Sequence, residues 1–144
     1  MIALKLHLLS YNLRKWPVVS DLISIVLRVI FSAQLPKDLY LPATTKLGYQ
    51  GLGIVIHPRA IIGSNCLISQ NVTIGGTSKK HGVPRIGNDV YIGAGAVVLG
   101  DITLGDNVVV GANSVVTKSF GSGVVIAGVP ARIIQTGILK SDFV

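Results

Sequence analysis

The 144-residue sequence has one cysteine, few charged residues and few aromatic residues, and each scarcity narrows what the protein can be. A single thiol, Cys66, excludes an intrachain disulfide and agrees with a reducing, cytoplasmic location. Aromatic residues make up 6% of the chain and no DNA- or RNA-binding motif is present, so nucleic acid is a poor candidate partner despite the net charge of +7. With 13% charged and 49% hydrophobic residues, we expect some flat apolar faces to pack against other copies.

Long apolar runs are also absent. Residues 1–33 contain no glycine, and their apolar side chains follow helical spacing on either side of Pro17. We therefore predict an N-terminal arm of two short helices, the second capped by Ser20 or Asp21. Charged residues interrupt every stretch before it reaches the roughly 18 apolar residues of a membrane span, and no convincing signal-peptide cleavage site follows. We expect the arm to pack within an oligomer, with contact to a membrane surface as the less favoured alternative.

What the sequence has instead is an aliphatic residue at every sixth position. These residues are Ile62, Ile68 and Ile74, followed by Ile86, Ile92, Val98, Leu104, Val110 and Val116. The fourth position after each is small or apolar, as at Cys66, Val72, Val90, Ala96, Ile102, Val108 and Ser114. A period of six does not fit an α-helix but fits short strands joined by tight turns. Stacked coils of such strands bury the aliphatic ladder, so the repeat predicts a mainly β fold, a parallel β-helix.

The repeat also divides the chain. We predict the helical arm at 1–33, the β-helix at 34–134 and a tail at 135–144. One polar segment interrupts the repeat, an extruded loop at 77–85 that is rich in basic residues and contains a histidine. Loops on rigid scaffolds tend to carry function, so we expect the site there.

The three histidines are the candidates for acid–base chemistry. His7 lies in the arm, where packing or solvent exposure is the simpler role, whereas His57 lies at the first regular turn and His81 in the extruded loop. Histidine suits the role of base toward a hydroxyl at neutral pH, so His81 and His57 are our candidate catalytic residues. The alternative for His57 is capping of its own turn. No GxSxG elbow or Cys/His pairing supports a covalent nucleophile, and two histidines with one inward cysteine do not predict a metal site.

Basic residues and glycines suit a long phosphorylated cofactor. The basic residues in and beyond the loop are Lys79, Lys80, Arg85, Lys118 and Arg132. Backbone N–H groups of Gly75, Gly76, Gly93 and Gly95 would line a narrow groove along the coil wall. The alternative is that the charges only solvate turns.

Several stretches of this sequence resemble the hexapeptide-repeat acyltransferases over residues 34–134. They are Asn71-Val72-Thr73-Ile74-Gly75-Gly76-Thr77, Ile92-Gly93-Ala94-Gly95-Ala96, Val110-Gly111-Ala112-Asn113-Ser114-Val115-Val116 and Ala127-Gly128-Val129-Pro130-Ala131-Arg132. Single hexads are unspecific, but the Gly-Gly-Thr loop start together with the Gly-Val-Pro-Ala-Arg ending is typical of acetyl-CoA enzymes. Gly53-Ile54-Val55, followed by Gln70 and Val-Thr-Ile-Gly-Gly-Thr, resembles the serine acetyltransferase branch most closely.

This resemblance implies a left-handed β-helix, a homotrimer and active sites between neighbouring subunits. It implies direct transfer from acetyl-CoA: a histidine takes the proton of the acceptor hydroxyl, which attacks the thioester, while backbone amides stabilise the oxyanion. By motif match, the cofactor contacts are Gly76, Thr77, Gly93, Ala94, Ala112, Pro130 and Arg132.

The sequence departs from the branch at its base. In serine acetyltransferases the catalytic histidine precedes the Gly-Ile-Val segment and an aspartate one coil earlier orients it. The matching positions here are Tyr49 or Gln50, and Gln34, which we take as candidate substrate contacts. Either His57 or His81 then serves as the base, or the chain is inactive. We predict an O-acetyltransferase acting on serine or on a sugar of a surface polysaccharide, with a non-catalytic β-helix scaffold as the competing interpretation.

Overall fold

The computed structural model describes residues 2–144, which form two α-helices followed by thirteen short β-strands. The helices are α1 (Ile2–Asn12) and α2 (Pro17–Phe31). The strands are β1 (Lys46–Leu47), β2 (Val55–Ile56), β3 (Ile61–Ile62), β4 (Leu67–Ile68), β5 (Thr73–Gly75), β6 (Arg85–Ile86), β7 (Tyr91–Ile92), β8 (Val97–Leu99), β9 (Thr103–Leu104), β10 (Val109–Val110), β11 (Val115–Val116), β12 (Val124–Gly128) and β13 (Ala131–Thr136). Short 3₁₀ turns lie at Gly48–Gly51 and Lys140–Asp142.

The strands wind into a three-sided solenoid. Sheet I has the order β1-β4-β7-β10-β12-β13, sheet II contains β2, β5, β8 and β11, and sheet III contains β3, β6 and β9. Up to β12, all strand pairs are parallel. We name the edges of this prism by the sheets they join: corner 1 joins sheets I and II, corner 2 joins sheets II and III, and corner 3 joins sheets III and I. The predicted parallel β-helix is confirmed.

The six-residue repeat forms the core. All nine repeated aliphatic side chains are at most 4% exposed. They stack as three ladders, one on each sheet: Ile68, Ile92 and Val110 on sheet I, Ile74, Val98 and Val116 on sheet II, and Ile62, Ile86 and Leu104 on sheet III. Cys66 and the other residues at the fourth position are buried at the corners. Because dispersion and hydrophobic burial both scale with these contacts, the ladders hold the solenoid rigid.

The corners turn through left-handed backbone. The residue before the buried fourth position has positive φ in six of the seven cases: Asn65, Asn71, Asp89, Gly95, Asn107 and Asn113. At the seventh, Ile102, the residue with positive φ is Gly100, two positions earlier. Asparagine, aspartate and glycine tolerate this conformation better than other residues, because their side chains are short or absent. The polar composition of the turns therefore follows from the winding.

The two helices cover the first coil. Ala3 of α1 contacts Gly51, since a Cβ built at this glycine would lie 3.4 Å from the alanine Cβ. The predicted cap of α2 is wrong: the helix begins at Pro17, after Trp16, and has no side-chain cap. Proline fits the first helical turn because its missing N–H would have no partner there. Ser20 is instead buried inside the helix.

The apolar stripe of α2 faces outward. Val18, Leu22, Ile25 and Val29 are 81%, 61%, 56% and 76% exposed, whereas Leu27 is buried. The predicted helical spacing is confirmed, but the buried residues of α2, Ser20 and Leu27, lie on the side opposite the apolar stripe. Among residues 2–144, neither helix is both long and apolar enough to cross a bilayer.

The C-terminal residues close sheet I and cover its outer surface. β12 continues the solenoid beside β10, and β13 then returns antiparallel along β12 as far as Thr136, beyond the predicted boundary at residue 134. Ile138 packs against Val109 and Val125 on the outside of sheet I. The outward side chains of sheet II, by contrast, are uncharged: Val55 is exposed, and Thr73, Val97 and Val115 are half-buried.

His7 attaches the arm to the first coil. Its side chain is fully buried, and Nε2 lies 3.0 Å from the carbonyl oxygen of Leu39, to which it donates. Nδ1 is buried without a hydrogen-bond partner among the described residues. Burial lowers the pKa of His7, and the carbonyls of Leu39 and Leu35 offset this only in part. The neutral ring is therefore the form that fits, and the packing role expected for this histidine is confirmed.

Acid should loosen this attachment. Above the ordinary histidine pKa of 6.5, His7 is neutral in the folded and unfolded chain alike. As pH falls below that value, the unfolded chain takes up a proton first, so the free energy of unfolding decreases, by at most about 1.4 kcal/mol per pH unit. His7→Gln keeps a donor for Leu39 and cannot be charged. Urea midpoints at about pH 7.5 and about pH 5 should therefore differ less for His7→Gln than for the parent; equal differences would contradict the prediction.

Candidate functional site

A groove of about 380 Å³ opens at corner 2, beside the first complete coils. Its lining includes Gln34, His57, Thr73, Gly75, Gly76 and Leu99. The backbone N–H of His57 donates to Ile74 O at 2.8 Å, which stacks the histidine directly on the coil that carries the two glycines. Because Gly75 and Gly76 have no side chains, they leave the groove open at this wall. The groove thus brings together the candidate base His57, the candidate substrate contact Gln34 and two candidate cofactor contacts, Gly75 and Gly76.

Hydrogen bonding fixes the tautomer of His57. Its Nδ1 accepts the backbone N–H of Arg59 at 3.1 Å, so this histidine does cap its own turn. In a neutral imidazole one nitrogen accepts and the other carries the proton, so Nε2 of His57 is protonated and donates. A general base needs a free lone pair at the nitrogen that faces the substrate. In this arrangement His57 is suited to donate a hydrogen bond to an oxygen in the groove.

The extruded loop is fixed at its base and exposed at its tip. It occupies residues 76–84, because β5 ends at Gly75 and β6 begins at Arg85. Gly82 packs directly on the Asp101 side chain, and Arg85 forms an ion pair with Asp101 at 2.9 Å. His81 lies at the exposed part of this loop. The loop therefore presents an exposed histidine next to a base that contacts Asp101.

A second hollow of about 380 Å³ continues along corner 2 toward the C-terminal coils. Thr77, Lys80 and Thr117 contribute to its lining. Lys118, at the same corner, places its ammonium 5.5 Å from the centre of the Phe120 ring. Corner 2 thus carries, in order along the solenoid, the histidine, the glycines and then two lysines. This order suits a ligand with an apolar arm and an anionic end.

The remaining candidate cofactor residues lie on corner 1. The backbone of Ala94 accepts the N–H of Asn113 at 2.8 Å, and the Ser114 hydroxyl accepts the N–H of Gly128 at 3.1 Å. These bonds stack the coils that contain Gly93, Ala94, Gly95, Ala112 and Pro130 along one edge; Arg132 pairs with Ala127 in the closing hairpin. Sheet II separates this edge from the groove. Among residues 2–144, no single groove collects the full predicted cofactor set.

Tyr49 and Gln50 also lie on corner 1, apart from Gln34. Both have left-handed backbone, with φ of 45° and 63°. Such φ is uncommon outside glycine, asparagine and aspartate, and strain of this kind concentrates at functional sites. Tyr49 is 77% exposed, while Gln50 Oε1 accepts the N–H of Ile2 at 2.7 Å. The three candidate substrate contacts are therefore divided between two corners.

Sequence reasoning missed part of the groove wall. Thr73 and Leu99 are outward neighbours of the buried Ile74 and Val98, and the pairing of Gly75 with Leu99 brings them to the groove. The alternation of strand residues identified their outward direction, but only the stacking of coils shows which outward residues share a groove.

The single cysteine, Cys66, lines neither of the two hollows at corner 2. Cys66 is buried, and burial raises the pKa of its thiol, so the packing role predicted for it is confirmed. Within residues 2–144, no three His, Cys, Asp or Glu side chains are grouped as they would be around a metal ion.

Known proteins are similar to this chain in their repeat, in their sequence and in their fold. Residues 84–118 match the family described as bacterial transferase hexapeptide (six repeats). The serine acetyltransferase of Synechococcus elongatus is 37% identical over 131 residues, 90% of this chain and 53% of the relative, and that of Staphylococcus xylosus is 39% identical over 133 residues, 90% and 61%. The crystal structure of serine acetyltransferase in complex with coenzyme A from Brucella abortus strain S19 gives a TM-score of 0.88 at 34% identity, covering 95% of this chain and 56% of that one. The chain thus spans between about half and three-fifths of these relatives' lengths.

Proposed function

This chain is a hexapeptide-repeat protein close to the serine acetyltransferases, and we propose that it transfers the acetyl group of acetyl-CoA to a hydroxyl group of a small acceptor. The observation that carries the proposal is the glycine-walled groove at corner 2, which has a histidine at one end and lysines beyond the other. Glycines leave room for a narrow pantetheine arm, and lysines attract phosphates. The buried free thiol and the use of acetyl-CoA support a cytoplasmic location.

The division of the site between two corners supports a homotrimer. Corners 1 and 2 are the two edges of sheet II, whose outward side chains are uncharged and exposed or half-buried. Three copies packed with sheet II toward a common axis bring corner 1 of one copy beside corner 2 of the next. Cyclic closure of this kind is the usual form of soluble oligomers. In this arrangement the two halves of the candidate site meet. We propose left-handed winding from the similarity to the same relatives.

The cofactor then lies between two copies. Gly75, Gly76 and Thr77 of one copy face Gly93, Ala94, Gly95 and Ala112 of the next, and the turn with Pro130 and Arg132 closes the far end. Lys80 and Lys118 supply positive charge for the phosphates. The N–H groups of Gly93 and Gly95 already donate to Val110 O at 2.8 Å and to Gln70 O at 3.0 Å. We therefore assign the backbone N–H of Gly76, in the groove at corner 2, as the donor to the developing oxyanion.

Two histidines take different parts in the transfer. His81 removes the proton of the acceptor hydroxyl as its oxygen attacks the thioester carbonyl, the C–S bond breaks, and the thiolate of CoA takes up a proton. His57 donates through Nε2 to an oxygen in the groove, because its Nδ1 is already occupied by the N–H of Arg59. A histidine positioned as general base contributes typically about 10²- to 10⁴-fold to such a reaction.

Binding of coenzyme A tests the proposal directly. Coenzyme A at a hundredfold excess over its Kd should stabilise the chain by about 2.7 kcal/mol, seen as a higher Tm and as heat in a calorimetric titration. A non-catalytic scaffold is the competing function, favoured by Tyr49 and Gln50 at the positions matched to the catalytic histidine of serine acetyltransferases. A scaffold predicts no heat and no change in Tm with coenzyme A, and that result would overturn our proposal.

A further inference from the structure

We propose that the outward face of α2 binds a membrane surface rich in anionic lipids. Its aliphatic side chains enter the boundary between headgroups and acyl chains, and the basic groups at its ends lie against the lipid phosphates. We call this face the α2 stripe, and it comprises Val18, Val19, Leu22, Ile25, Val26, Val29 and Ile30. No residue of the stripe lines either hollow of corner 2, so its binding to lipid is independent of the proposed acetyl transfer.

The α2 stripe is a continuous apolar band. At about 100° per residue, its side chains fall within an arc of about 140°, and no polar side chain of the helix lies inside that arc. All of them are exposed except Val26, which is half-buried. Contiguous apolar surface of this kind is rare on soluble proteins and marks contact with another protein or with a membrane.

The packing of the arm directs the stripe away from the solenoid. Helix α1 contacts β1 and the 3₁₀ turn at Gly48–Gly51, whereas the main contacts of α2 are with α1. The packed side of α2 carries Ser20 and Leu27. Ser20 is fixed there, because its carbonyl oxygen accepts the hydroxyl of Ser10 in α1 at 3.1 Å. Contacts within the arm itself therefore hold the stripe outward.

The helix has the length of a segment that lies on a membrane. Its 15 residues extend about 22 Å, less than the roughly 30 Å of the hydrocarbon core of a bilayer. A helix lying along the surface buries its apolar face while its backbone hydrogen bonds stay intact. Trp16 stands directly before the first turn and is 70% exposed, and tryptophan prefers the level of the headgroups.

The charges around the stripe complement anionic lipid. Residues 2–33 contain one acidic side chain, Asp21, and it is paired with Lys37 at 2.7 Å. The same residues contain four basic side chains, and within residues 2–144 none of the four forms an ion pair: Lys5, Arg14, Lys15 and Arg28. Two of them directly precede Trp16 at one end of the stripe, and Arg28 lies beside the other end, where it donates to Gln34. Lipid phosphates neutralise such groups.

A second copy fits the stripe less well than lipid does. With two stripes face to face, antiparallel helices direct Arg28 of each copy toward the basic turn of the other, and parallel helices bring the two basic turns together. Both arrangements place like charges side by side, on copies that each carry a net charge of +7. The charge pattern therefore favours a membrane surface over the oligomer packing expected from the sequence.

Vesicle binding of the full chain tests the proposal through tryptophan fluorescence. Trp16 is the only tryptophan, so its emission reports on this end of α2 alone. Vesicles of phosphatidylcholine with about 30% phosphatidylglycerol should shift the emission to shorter wavelength, and brominated acyl chains should quench it. Vesicles of phosphatidylcholine alone should bind at least about tenfold more weakly. Unchanged emission with the anionic vesicles, or equal binding to both kinds, overturns the proposal.

Ile25→Gln and Ile61→Gln form a matched pair of variants. The two isoleucines are 56% and 57% exposed, but Ile61 lies in β3, outside the stripe. Ile25→Gln should weaken binding to the anionic vesicles about tenfold, whereas Ile61→Gln should leave it unchanged. Thermal unfolding checks that both variants fold. Equal affinities of the two variants would show that the stripe does not contact the lipid.

Lys15→Glu tests the part played by charge. It should lower the affinity for the anionic vesicles about tenfold and leave that for neutral vesicles unchanged, and an equal change with both would contradict the proposal. Light scattering without vesicles tests the competing occupant, a second copy. The parent and Ile25→Gln should have the same molar mass. A lower mass for Ile25→Gln would assign the stripe to contacts between copies and overturn the proposal.

Discussion

Replacing His81 with glutamine is expected to lower kcat about 10²- to 10⁴-fold while the Kd for coenzyme A stays the same. Glutamine approximates the size of the imidazole and keeps an N–H, but it cannot accept a proton at neutral pH. The loop that carries His81 is held by Gly82 and Arg85 on Asp101, so the substitution at its exposed tip leaves the fold unaffected. Initial rates and calorimetric titrations on the same preparations measure both quantities.

The matched variant is His57→Gln. Its amide keeps a donor near the position of Nε2, so a residue that only donates a hydrogen bond should lose about tenfold or less. The opposite outcome, a large loss for His57→Gln and a small one for His81→Gln, would transfer the role of base to His57. Full activity in both variants would exclude a histidine base.

Filling the groove should have the second large effect. Gly75→Val is expected to weaken coenzyme A binding roughly 10- to 100-fold, because overpacking a fitted space costs about 1–3 kcal/mol. The fold should tolerate the change: a Cβ built at Gly75 meets only Leu99 Cδ2, at 3.5 Å, and valine suits a strand. Isothermal titration calorimetry gives the affinity, and thermal unfolding checks the fold.

Gly121→Val provides the control for that experiment. It lies at corner 3, away from both hollows, and a Cβ built there has no neighbour within 4 Å among the described residues. The two variants add the same side chain, so a loss of affinity confined to Gly75→Val identifies the groove as the cofactor site. Equal affinities in the parent, Gly75→Val and Gly121→Val would show that coenzyme A binds elsewhere.

The solenoid could be predicted because its repeat is strictly local. Except across the extruded loop between Ile74 and Ile86, each aliphatic residue from Ile62 to Val116 lies six residues from the next. A strand directs its side chains to alternate sides, so position in the hexad decides burial. The same periodicity predicts that the side chain of Cys66 is buried. The hexad contains no information on how one copy meets another.

The arm and the site were less predictable for physical reasons. Helical spacing in α2 identified an apolar stripe, but amphipathicity alone does not say which side packs, and Leu27 on the opposite side is the buried residue. Pro17, rather than Ser20 or Asp21, begins that helix, because the fixed φ of proline suits the first helical position and its missing N–H would have no partner there. The candidate cofactor residues lie on two edges of the prism, and this division depends on the winding of the whole chain.

The reversal of β13 limits how copies of this protein associate. A β-helix with open ends presents unpaired backbone groups to which another copy can add its own strands, and such head-to-tail growth produces fibres. Here the last strand of sheet I runs against the winding direction, so β1 of a second molecule cannot continue the parallel register. At the other end, α1 packs against the turn at Gly51. Growth along the axis through sheet I is thereby opposed at its C-terminal end.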